Sequence, residues 1–85
     1  MARAKQVIAL VWSHVLLAEL DDDDTIARYI DYTIVPDDHA DPASGRYSES
    51  LPTGKALLGH VTGDYVETTI DGAHMRLLIQ GVGAR

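Results

Sequence analysis

Apolar and polar positions along this chain change period several times, and each change marks an element. "IARYIDYTIV" (26–35) alternates at its end, with Ile30, Tyr32 and Ile34 on one face and Asp31 and Thr33 on the other. That two-residue period is the mark of a strand with one buried face. Pro36 cannot donate to a ladder, so pairing is expected to stop there. The preceding "HVLLAEL" (14–20), extending back into "VIALVW" (7–12), is apolar without alternation. Such a run fits a strand buried on both faces or a short buried helix. The strand is preferred because "DDDD" (21–24) and Thr25 read as a hairpin loop leading into the next strand.

Beyond the second strand, "DDHADPASG" (37–45) is loop by composition, and "RYSES" (46–50) is short and β-compatible. Pro52 suits the first turn of a helix, where its missing N–H costs nothing. Residues 52–58 then make about two turns, with Ala56 and Leu57 as the expected inward pair and Gly59 as the stop. "TGD" (62–64) reads as a turn. "YVETTI" (65–70) sets Val66, Thr68 and Ile70 against Tyr65, Glu67 and Thr69. Asp71-Gly72 is the strongest hairpin signal in the chain. It leads into "HMRLLIQGV" (74–82), with Met75, Leu77 and Ile79 on one face. The order β-β-loop-β-α-β-β predicts an α+β domain, a small antiparallel sheet with one short helix packed on it.

At 85 residues the chain holds one domain. A domain of this size buries about 60–65% of the surface its unfolded chain exposes, so its stability margin is modest. Apolar residues make up 46%, too many for disorder. The absence of Cys excludes disulfides, thiolate zinc sites and thiol nucleophiles, and fits a cytoplasmic location. Arg3 and Lys5 ahead of "VIALVW" imitate a signal peptide, but Ser13 and His14 break the apolar run after six residues. Residues 1–12 are therefore read as an N-terminal segment forming a strand. Net charge is −6, and it is unevenly spread: nine acids and one base lie between Glu19 and Asp41. An acidic edge of that kind repels phosphate backbones, which argues against direct nucleic-acid binding and for a partner offering a basic patch, or for no electrostatic role at all.

Candidate chemistry is sparse. "DDDD" lacks the alternate acids, central Gly and distant Glu of a calcium loop, and reads as a solvated hairpin tip. His39 among Asp37, Asp38 and Asp41 is a poor metal site without further ligands, and His14, His60 and His74 show no metal spacing. Ser48 and Ser50 flank Glu49, with His60 beyond the helix, and nothing in their spacing assembles a triad. "TGKALLG" (53–59) lacks the upstream glycine and Lys-Ser/Thr pair of a phosphate loop, so Lys55 is a solvated helix residue. The residues thus describe a binding module with no catalytic or metal site, and no cofactor is expected.

"YTIV" (32–35), the acidic loop with "ADP" (40–42), then Gly45 and Ser48, Pro52, "ALLG" (56–59), and Gly63-Asp64 followed by Val66 converge on one pattern. From about Ser13 to Val82, four-fifths of the chain, it resembles the C-terminal domain of the bacterial Gre transcript-cleavage factors. The resemblance implies an FKBP-like fold over residues 13–85, a bent antiparallel sheet cradling one short helix. It also implies a partner: RNA polymerase, at the rim of the secondary channel, on the coiled coil of the β′ subunit. By position, contacts would come from Asp38 and Asp41 in the acidic loop and from Ser50, Leu51 and Pro52 before the helix. Gre factors carry their catalytic acids on an N-terminal coiled coil. This chain begins close to the domain's first strand and is expected to act as a stand-alone module without it; "DDDD" is no substitute, because a hairpin turn on the globular body could not enter the channel.

The family usually has Ser where this chain has Leu51, and a Ser there would cap the helix. Its absence costs about 1 kcal/mol. Leu51 is expected to pack down, or else to offer an apolar contact to a partner. Two other functions are compatible with the sequence. A homodimer could form through the apolar N-terminal strand, which as an exposed edge would be an aggregation hazard. A peptidyl-prolyl isomerase is suggested by fold class alone, although the chain has no Phe to line a pocket.

Overall fold

The computed structural model describes residues 7–70 and 72–83. Five strands form one sheet: β1 (His14–Leu20), β2 (Ile26–Val35), β3 (Arg46–Ser48), β4 (Tyr65–Ile70) and β5 (Ala73–Gly83), with one helix, α1 (Pro52–Leu57). Their order across the sheet is β3-β2-β1-β5-β4. β1 therefore sits at the centre, antiparallel to both β2 and β5. That position explains its unbroken apolar run: Val15 and Leu17 point into the core, and Ala18 on the other face is also fully covered. The core gathers Leu17, Ile34, Leu57, Leu77 and Ile79, all but inaccessible, with Val15, Tyr32, Val66 and Met75 around them.

The alternations in β2, β4 and β5 fall as the sequence predicts: Tyr32 and Ile34, Val66 and Thr68, and Met75, Leu77 and Ile79 are all buried. β4 and β5 close antiparallel with Ile70 opposite Ala73. Gly72 supplies a left-handed residue in that turn at φ 80°, while Asp71 lies outside the described residues.

Three expectations are corrected. The sheet is mixed rather than antiparallel, because β3 runs parallel to β2, with Thr33 opposite Arg46 and Val35 opposite Ser48. Two 3-10 turns, Asp37–His39 and Pro42–Ser44, carry the chain back along β2, and Gly45 at φ 79° turns it into β3. A three-residue edge strand leaves no periodic signal of its direction.

The N-terminal segment, over its described residues 7–12, is not a strand. Trp12 adopts a left-handed backbone at φ 79°, and the Ser13 hydroxyl accepts the Leu10 N–H at 2.9 Å, which together turn the chain before β1. Within this segment Ala9 exchanges backbone bonds with Gly59 and His60, and Trp12 N–H donates to the Ile34 carbonyl.

The inward face of α1 is Thr53, Gly54 and Leu57, with Ala56 half-buried. Gly54 belongs there because the helix crosses the chain leaving β3. A Cβ on it would stand 2.7 Å from the Ser48 carbonyl oxygen and 3.1 Å from Glu49 backbone atoms. The helix ends as predicted, with Gly59 left-handed at φ 87° just past it. Among the described residues, no helix is long and apolar enough to cross a membrane.

Candidate functional site

All five residues singled out for partner contact, Asp38, Asp41, Ser50, Leu51 and Pro52, are exposed. The fold places the acidic loop and the segment entering α1 beside each other, and the residue that joins them is Asp37. Its carboxylate accepts hydrogen bonds from the Ser48 and Ser50 hydroxyls, the latter at 2.8 Å. These two bonds, Ser48 foremost, hold the Asp37 carboxyl below the usual carboxylate range. The Ser48 hydroxyl in turn accepts the Ser50 N–H at 3.0 Å, and Glu49 N–H donates to the Val35 carbonyl at 2.8 Å. The pre-helix segment is thereby pinned to both the loop and the end of β2. In the sequence Asp37 stands out only as a weak metal-ligand candidate beside His39, not as a residue of the contact surface. Its one signal is an acid directly after the strand-ending Pro36, with two serines later in the chain.

Asp41 is fixed from two sides. Its backbone exchanges bonds with Arg46 at 2.8 and 3.1 Å, and its carboxylate accepts the Ser44 hydroxyl at 2.8 Å. Asp38 is the freer acid, its carboxylate 3.9 Å from the His39 ring. His39 meets Trp12 edge-on, with ring centroids 4.9 Å apart, so the N-terminal segment braces the acidic loop.

Leu51 does not pack down: it is 42% exposed and occupies the N-cap position of α1 with no side-chain cap bond. With Pro52 it forms one lip of a cleft of about 670 Å³, whose other walls come from Arg28, Ile30 and Tyr32 of β2, Pro42, Tyr47, and Thr69, Ile70 and Gly72. Tyr32 and Tyr47 stack along one wall, centroids 4.3 Å apart and nearly parallel. Burial, with a smaller contribution from Tyr47, pushes the Tyr32 hydroxyl up to about 12, so it stays protonated at neutral pH. No local pattern announces this cleft, because its walls come from segments that meet only when the sheet curls.

The other candidate chemistries stay apart. The Ser48 and Ser50 hydroxyls turn to Asp37, whereas His60 Nδ1 meets Asp64 Oδ2 at 2.8 Å, so their hydrogen bonds go to different partners. Among the described residues no three His, Asp or Glu side chains converge on a point where a metal could sit. The tetra-Asp run is a hairpin tip whose carboxylates serve the turn. Asp21 and Asp23 both accept the Thr25 hydroxyl, at 2.7 and 2.8 Å, and Asp24, left-handed at φ 67°, accepts from Arg76 of β5.

With fold and site in place, the likenesses to known proteins are specific. The sequence profile "Transcription elongation factor, GreA/GreB, C-term" matches residues 9–83. Transcription elongation factor GreA of Limosilactobacillus fermentum is 45% identical over 51 residues, 60% of this chain and 32% of that protein. GreA of Thermoanaerobacter pseudethanolicus is 37% identical over 57 residues, 67% of this chain and 36% of that protein. A GreA/GreB elongation factor from Nitrosomonas europaea superposes with a TM-score of 0.73 at 25% identity, covering 94% of this chain and 63% of that one. GreA factor homolog 1 of Thermus thermophilus shares the fold, with a TM-score of 0.79 at 19% identity, 99% of this chain and 53% of that one. The chain belongs to the GreA/GreB transcription elongation factor family, as a C-terminal domain of that family. It spans about a third of the length of the curated relatives it matches.

Proposed function

We propose that this domain is a non-catalytic module that binds RNA polymerase and modulates transcription elongation in the cytoplasm. It docks near the secondary channel, on the β′ subunit at the channel rim. The observation that carries this reading is the Asp37 clamp. It ties the loop to the pre-helix segment, and Asp38, Asp41, Ser50, Leu51 and Pro52 on these two segments are all exposed, which supports their serving as one contact surface. A basic patch on the partner would be drawn to the acids, and Leu51 and Pro52 would add apolar contact. The test is co-purification of the chain with core RNA polymerase, competed away by an intact Gre factor. Failure to associate at micromolar concentration removes the proposal.

Homodimerisation is a second reading, favoured by one observation: Val7, Ile8, Leu10 and Trp12 are all exposed, a dense apolar run for a monomer's surface. Sedimentation of the free chain separates the two, since a strict monomer at high concentration excludes it.

A further inference from the structure

The cleft between β2, β3 and the start of α1 has a composition of its own. Among the described residues its polar lining consists of Arg28, Tyr32, Tyr47, Thr53 and Thr69, all able to donate a hydrogen bond, and no carboxylate lines it. Arg28 also engages Glu19 through its Nε at 2.5 Å. The rest of the lining is apolar: Ile30, Pro42, Leu51, Pro52 and Ile70. In a chain of net charge −6, this is a site built for a ligand that is apolar and carries acceptors.

A second observation points the same way. Tyr32 is 2% exposed, and its hydroxyl is the one buried side-chain polar atom without a hydrogen-bond partner among the described residues. The Thr53 hydroxyl lies close enough to oppose the rise in the Tyr32 pKa, yet does not reach bonding geometry, and it faces Thr68 at 3.4 Å instead. Burying a hydroxyl unpaired is costly, and that cost has already been met by folding. An acceptor brought to this wall would gain a bond without a new desolvation penalty on the protein side.

We propose that the cleft binds an extended, uncharged peptide segment, one aliphatic side chain seated between Ile30 and Ile70 and one backbone carbonyl accepting from Tyr32. A peptide supplies what the lining asks for, apolar side chains with carbonyl acceptors at regular intervals, and the volume accommodates several residues. The carboxylates of the acidic loop take no part, so the chemistry differs from that of the charged surface, although Leu51 and Pro52 belong to both.

The experiment is an amide chemical-shift titration of the whole chain with a blocked peptide of alternating leucine and alanine. A second titration uses the same peptide with an alkene in place of its central amide, which removes that carbonyl. Saturable shifts are expected at Ile30, Tyr47, Leu51 and Ile70. Tyr32→Phe keeps the ring and should weaken binding about fivefold, the effect of one neutral hydrogen bond. The alkene peptide should bind the unaltered chain about fivefold more weakly and be indifferent to Tyr32→Phe. No shifts at those residues up to millimolar peptide, or equal binding of both peptides, overturns the proposal. Polymerase association is measured separately with Tyr32→Phe, which leaves the shared Leu51 and Pro52 in place and should not change it.

Discussion

Two acid-rich stretches lie sixteen residues apart in this chain, and the fold uses them in opposite ways. In Asp21–Asp24 two carboxylates turn inward on their own hairpin and a third ties it to β5. Asp21 and Asp23 hold Thr25, and Asp24 holds Arg76 of the neighbouring strand. In Asp37–Asp41 one carboxylate, Asp37, reaches across to Ser48 and Ser50, and this fixes a second segment beside the loop while Asp38 stays exposed. Acid content alone says little about function. What separates the two is where the hydrogen bonds go, to the turn and to β5 in one case and to the segment entering α1 in the other.

The largest effect expected from a single substitution falls on the floor beneath the second stretch. Gly54→Ala drives a Cβ into the Ser48 carbonyl, backbone that cannot swing aside. It should cost about 2 kcal/mol, seen in a thermal melt as a fall in Tm of about 8–16 °C. An unchanged Tm would mean that the helix and the β3 exit are not in close contact.

Leu51→Ser acts at the same seat with the opposite sign. It supplies the missing N-cap and should gain about 1 kcal/mol, a rise in Tm of about 4–8 °C. It should also weaken polymerase association by removing the apolar lip. A variant that gains stability and loses binding would separate the two roles of this position.

Acid titration gives a smaller effect. Asp37 and Asp23 both have folded-state pKa values depressed by hydrogen bonds, Asp37 by Ser48 and then Ser50, Asp23 by Asp21 and then Thr25. A depressed carboxylate adds stability that is fully present above its unfolded pKa, about 3.9, and is lost as pH falls through the lower folded value. Between neutrality and about pH 5 neither should matter. Below about pH 4 the melting temperature should fall, and Asp37→Asn should flatten that fall where Asp22→Asn does not. The smallest effect is expected at Asp22, which makes no side-chain hydrogen bond among the described residues. Asp22→Ala should leave the melting curve where it is.

Much of the fold was legible because strand alternation and punctuation are local signals. Tyr32 against Thr33, Met75 against Arg76, and Pro36 and Gly59 at their boundaries can be read without knowing what they touch. What could not be read was long-range. The direction of β3 is set by a loop that folds back on β2, and three residues carry no period. Gly54 looks like a weak point in a helix until the Ser48 carbonyl is placed against it. Trp12 gives no hint of a left-handed backbone, so an apolar run that reads as a strand turns away before β1. At the candidate site, Asp38, Asp41, Ser50, Leu51 and Pro52 were reached through the family pattern. Asp37 was missed because its role depends on serines eleven and thirteen residues away. The cleft was missed for the same reason, since Tyr32 and Tyr47 stack only in the folded sheet.

The decisive measurement compares the two acidic stretches on one scale, the affinity of the chain for core RNA polymerase at fixed salt. The charge-removing pair Asp38→Asn with Asp41→Asn should weaken association tenfold or more, the equivalent of about 1.4 kcal/mol. Asp22→Asn with Asp23→Asn should leave it within a factor of two, about 0.4 kcal/mol. Equal losses from both pairs would mean that polymerase reads only overall charge. A larger loss from the hairpin pair would place the docking surface at the wrong end of the molecule.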